Sequence, residues 1–167
     1  MTSLVIDALT HISKEADDVI GWGPRFLAED LIGQMDAPRK IMGEQMRVDK
    51  AVAFPALNLT VPTSTLSFKD QHAYVLECVD KFPDRLIGGV ALHARLWNEE
   101  VEKQLEDMVL NHNFRMIYIH PSLHKYWLPI QTPSEGEGSK QLLYPLFEAA
   151  RELKIPILIQ NILFYTS

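Results

Sequence analysis

The apolar positions of this chain fall into short unbroken runs separated by stretches with one apolar stripe. Residues 3–8 (Ser-Leu-Val-Ile-Asp-Ala) form the first run, and similar runs return at 48–54, 86–92, 115–119 and 155–159. A short run without alternation is the pattern of a strand covered on both faces, which points to a parallel sheet. Between the runs, apolar residues recur at helical spacing. They are Phe26, Leu27, Leu31 and Met35; Ala73, Leu76, Val79 and Phe82; Val101, Leu105, Met108 and Val109; and Leu142, Leu143, Leu146, Phe147 and Ala150. Asn98 ahead of Glu99 and Glu100 is a good helix N-cap, and Ser67 with Asp70 predicts the start of the second helix.

The expected order is therefore β-α-β-α-β-α-β-α-β, in which right-handed crossovers set parallel strands side by side. A doubly wound sheet and a (β/α)8 barrel both fit. The barrel is favoured because His11, Asn58, His93 and His120 stand at or just after strand C-termini, the face where barrels gather their chemistry. A doubly wound nucleotide binder needs a glycine-rich turn after the first strand, and Leu9-Thr10-His11 offers none. The expected fold is thus α/β, an incomplete (β/α)8 TIM barrel of about five parallel strands alternating with four helices. A complete barrel takes about 250 residues and eight strands. An open barrel leaves two strand edges and an apolar inner face to be covered, so a homo-oligomer or a partner half-barrel is expected.

Composition narrows the function classes. The 167 residues are 47% hydrophobic and 23% charged, ordinary for one globular domain. A net charge of -6, with 16 scattered Lys and Arg, argues against a nucleic-acid partner. No apolar run approaches the ~20 residues of a bilayer span, and no basic-then-apolar leader is present, so a cytoplasmic protein without a membrane partner is expected. The single cysteine, Cys78, lies in a helical stripe and reads as a small buried apolar side chain.

Five stretches in this order carry a resemblance: Val5-Ile6-Asp7-Ala8-Leu9-Thr10-His11-Ile12; residues 48–55; Phe82-Pro83-Asp84-Arg85-Leu86-Ile87-Gly88-Gly89-Val90; Ile117-Tyr118-Ile119-His120-Pro121; and residues 143–150 ending in Ile155-Pro156-Ile157-Leu158-Ile159. Together they resemble the N-terminal part of the amidohydrolase-related metal-dependent hydrolases, which include non-oxidative decarboxylases. The resemblance implies a (β/α)8 barrel with a divalent metal, zinc or manganese, at the C-terminal mouth. It also implies a small carboxylate, ester or amide substrate. The metal ligands it implies are two histidines in the first strand, one at the end of the fifth and an aspartate from the eighth.

Only one of these positions keeps its ligand. Leu9 stands at the first, His11 at the second and Gln160 at the fifth-strand position. Leucine has no lone pair to donate and a glutamine oxygen is a poor substitute, so a weak or absent metal and an impaired enzyme are expected. The expected organisation is residues 1–160 as the N-terminal portion of the barrel and 161–167 as an atypical tail, one reading of which is a shifted or truncated reading frame. Asp7 and His120 are the candidate catalytic residues: Asp7 by resemblance, and His120 as a proton carrier at the fourth strand's end. His11 is the candidate metal ligand. Trp22, His93 and Trp127 are candidate substrate-binding residues, the last in a long connection of the kind that shapes barrel pockets. His72, His112 and His124 read as surface or loop residues.

Overall fold

A computed structural model describes residues 4–14, 26–41, 43–56, 66–121 and 136–160. Among these residues, seven strands and four α-helices follow one another: β1 (Ile6–Ile12), α1 (Ala28–Asp36), β2 (Arg39–Ile41), β3 (Glu44–Met46), β4 (Lys50–Pro55), α2 (Phe68–Lys81), β5 (Leu86–Ala91), α3 (Glu99–Asn111), β6 (Phe114–Ile119), α4 (Gly136–Leu153) and β7 (Ile157–Ile159). Five strands make one parallel sheet in the order β1-β4-β5-β6-β7, a half-barrel.

Capping follows the sequence. The Ser67 hydroxyl accepts the Asp70 N–H at 3.1 Å, and Asn98 Oδ1 accepts the Glu100 and Val101 N–H groups at 2.9 and 3.0 Å. Two features depart from expectation. β1 runs later than hydropathy suggests, to Ile12, because Thr10, His11 and Ile12 pair with Ala53, Phe54 and Pro55 of β4 whatever their polarity. The antiparallel pair β2–β3 was not foreseen: its residues are largely polar and exposed, and its one local sign is Gly43 at φ 92°.

The sheet splits its side chains between two faces, alternating along β4 and β5 but shifting in β6 between Phe114 and Met116, where its register against β5 slips. Ala51, Ala53, Leu86, Val90, Phe114, Ile117 and Ile119 join Leu31, Val75, Leu105 and Leu146 of the helices in the main core. Val52, Phe54, Ala91 and Tyr118 form a separate cluster on the inner face, with Ile87, Met116 and Leu158 against it and no helix residue in it. The Pro83-Asp84-Arg85 segment is explained by its arginine. Arg85 Nε donates to the Asp49 carbonyl at 2.9 Å and Nη2 to that of Val48 at 3.2 Å, while Nη2 pairs with Asp36 at 2.9 Å, tying the entry of β5 to that of β4 and to α1.

Adjacent glycines in β5 serve opposite faces. A Cβ on Gly88 would lie 2.5 Å from the Phe114 ring, and one on Gly89 would lie 2.2 Å from the Phe54 ring. Phe54, fully buried, can rest on β5 only because nothing projects from Gly89. Gly89→Ala is therefore expected to destabilise the protein by about 1–3 kcal/mol, the range for overpacking a filled core. Urea unfolding of the two proteins measures this, and an unchanged midpoint would show that Phe54 has room to move.

Candidate functional site

The C-terminal ends of β1, β4, β6 and β7 bring four polar or aromatic groups around one ring. His11 and Phe54 sit opposite each other in the β1–β4 ladder. The Tyr118 ring on β6 lies 5.4 Å from His11, edge-on, 5.4 Å from Phe54, and 6.1 Å from His120. Tyr118 Oη donates to Gln160 Oε1, just past β7, at 2.5 Å. Tyr118 and His120 are two residues apart and so share a face, which is the sequence signal that would have found the tyrosine.

His11 has a defined tautomer. Its Nδ1 lies 2.8 Å from the carbonyl oxygen of Pro55, which can only accept, so Nδ1 carries the proton and Nε2 keeps its lone pair. Burial holds the His11 pKa below its ordinary value, and proximity to His120 adds to this against the opposing Pro55 hydrogen bond. Burial likewise lowers His120 and pushes the Tyr118 hydroxyl up to about 12. At neutral pH the inner mouth therefore holds neutral imidazoles and a protonated phenol.

The remaining sequence candidates fall elsewhere. Asp7 is exposed, and its Oδ1 accepts the Leu9 N–H at 3.2 Å, where the β1–β4 register slips between Asp7 and Thr10. It shares with His11 the wall of a cavity of about 270 Å³ beside α1, which Gln34 and Arg39 also line. His93 is buried, but its Nδ1 accepts the Arg95 N–H at 3.1 Å within the short 3₁₀ turn Ala94–Leu96. Trp22, Trp127, Asn58, His124 and the 161–167 tail lie outside the described residues. Cys78 is buried, as its stripe predicted.

His72 overturns its reading as a surface residue. It is 0% exposed on α2, with Nδ1–H donating to the Phe68 carbonyl at 2.8 Å and Nε2 accepting the Ala91 N–H at 3.2 Å. The β4–β5 ladder ends at Ala53–Gly88, so this imidazole takes a strand N–H near the C-terminal end of β5. Sequence alone could not distinguish it, since a histidine in a helical stripe shows neither its burial nor its partner.

The donor set does not match the metal centre implied by the resemblance. Among the described residues, no group of three or more His, Cys, Asp or Glu is placed to share an ion. Leu9 offers no donor, and the Gln160 oxygen is already taken by Tyr118.

An α/β half-barrel with its polar groups at the strand C-termini defines a class of protein. A model of the amidohydrolase family matches residues 6–164, and the chain belongs to that family, which is generally metal-dependent. No curated protein matches it. A solved structure of a probable 2-pyrone-4,6-dicarboxylic acid hydrolase from Acinetobacter baumannii, with citric acid bound, is similar at a TM-score of 0.53 and 14% identity. The similarity covers 94% of this chain and 49% of that one, so this chain spans about half its length. No described helix is long and apolar enough to cross a membrane.

Burial carries the His72 pKa from 6.5 down to about 4. The unfolded chain binds this proton below about pH 6.5, and the folded one only below about pH 4. Stability from this group is therefore full above pH 6.5 and lost as pH falls to 4, by up to about 3 kcal/mol. His72→Gln keeps an acceptor for Ala91 without titrating. Chemical unfolding at pH 7 and pH 4.5 is expected to show a smaller acid loss for the variant, and equal losses would assign the acid sensitivity to other groups.

Proposed function

We propose that the chain is a cytoplasmic amidohydrolase-family hydrolase or non-oxidative decarboxylase homologue acting on a small carboxylate, ester or amide, impaired by Leu9 and Gln160. The observation carrying this reading is His11, whose Nδ1–H is committed to Pro55, leaving a lone pair at Nε2 beside Tyr118 and near His120. In a hydrolytic step His11 or His120 accepts the proton of an attacking water, since both are neutral near pH 7. A divalent zinc or manganese, general to the family, is held weakly at best by this donor set. Hydrolysis of an activated carboxylate ester tests the reading: His11→Ala is expected to lower the rate about 100-fold. A variant as fast as the native chain would remove His11 from the chemistry.

A second reading rests on the sheet edges. Leu4, Ile6 and Leu9 on or beside β1 are 62%, 46% and 36% exposed, and Ile159 on the opposite edge, β7, is 41% exposed. Such edges suit a non-catalytic half-barrel that pairs with another copy or with a second half. Light scattering on the purified chain is expected to give a mass above 19.1 kDa, and Ile6→Lys to lower it. A monomer over the full concentration range would count against self-association.

A further inference from the structure

Gln160 stands where the resemblance implies a metal-ligating histidine, yet its side chain is fixed rather than idle. Its Oε1 accepts the Tyr118 hydroxyl, and its backbone N–H donates to the Ile119 carbonyl at 3.0 Å, so both ends of the residue are anchored to β6. Tyr118 is itself immobilised: it is 0% exposed, with Phe54, His11 and His120 around its ring. The Tyr118 hydroxyl uses one lone pair of the amide oxygen and turns that oxygen towards β6. The free end of Gln160 is the NH₂ group, a donor with two N–H bonds, on a half-buried residue at the open end of the sheet.

A metal ligand must donate a lone pair; this side chain offers hydrogen-bond donors. We infer that the inner mouth of the half-barrel is a metal-independent oxygen-binding site, in which Tyr118 positions Gln160 so that its amide N–H groups hold a carboxylate or carbonyl oxygen of a small ligand. This rests on the reading of the mouth as the substrate site and names what replaces the metal there. Tyr118 acts as a positioning residue and Gln160 as the binding one. Phe54 has a supporting part, since its ring on Gly89 backs the tyrosine.

Titration of the intact chain with malonate in EDTA, followed by the side-chain amide resonances of Gln160, tests the inference. A saturable shift of those resonances without metal is expected. Tyr118→Phe, which keeps the ring and removes the hydroxyl, is expected to weaken binding about tenfold, the equivalent of one good polar contact. Gln160→Leu is expected to abolish binding while backbone amide spectra show the fold retained. Absence of a saturable shift, a shift that requires added zinc, or a Tyr118→Phe affinity equal to native would each overturn the proposal. Malonate binding by a native chain that hydrolyses no ester, or whose His11→Ala variant hydrolyses it equally fast, would instead fault the catalytic reading, so the two failures are separable.

Discussion

A parallel sheet has two apolar faces to hide, and here the core that includes the helices covers only one of them. The inner face depends on its own side chains closing over it, and the contact that permits this is the Phe54 ring lying on Gly89. With that ring against β5, Tyr118 packs on it, His11 packs against both, and His120 meets the tyrosine in an edge contact. On the other face of β5, Gly88 gives Phe114 the same clearance. Two glycines in the centre of a strand cost backbone entropy, which the aromatic packing on both sides offsets.

The polar chemistry of the mouth follows from that packing. Burial lowers the pKa of both imidazoles and raises that of the phenol, so the groups meeting there are neutral hydrogen-bonding partners. The Pro55 carbonyl selects one tautomer of His11, and the Tyr118 hydroxyl selects one role for Gln160. Leu9 and Gln160, at two of the places where the resemblance implies ligands, thus carry side chains of different chemistry from a metal-binding histidine.

Behind the sheet, His72 shows how a helix supports strands it does not belong to. Its imidazole accepts the Ala91 N–H on β5 and donates to its own helix at Phe68. Phe68 and Phe114 rings flank it, excluding the water that would otherwise compete for those bonds. The end of β5 that leads to His93 is held from α2 by a group that must stay uncharged.

Most of the framework was legible in the residues. Unbroken apolar runs announce the strands, though the edge strands β1 and β7 are not covered on both sides as such runs suggest; stripes announce the helices between them, and Ser67 and Asn98 mark helix starts because their side chains cap locally. The place of His11 near a strand's C-terminal end was legible, because it depends on sequence order. The β1 boundary was not, since pairing with β4 rather than hydropathy carries the strand through Thr10 and His11. Nor were the His72–Ala91 bond, the Phe54–Gly89 contact or the Tyr118–Gln160 pair, which join residues 19, 35 and 42 positions apart. By itself the sequence determined the order of the five sheet strands and four helices and the absence of a metal-donating side chain at position 9, because periodicity and side-chain chemistry are local properties. The tertiary structure alone decided which histidines are buried, which nitrogen of His11 keeps its lone pair and what the Gln160 oxygen binds, because burial and hydrogen-bond partners exist only once distant strands meet.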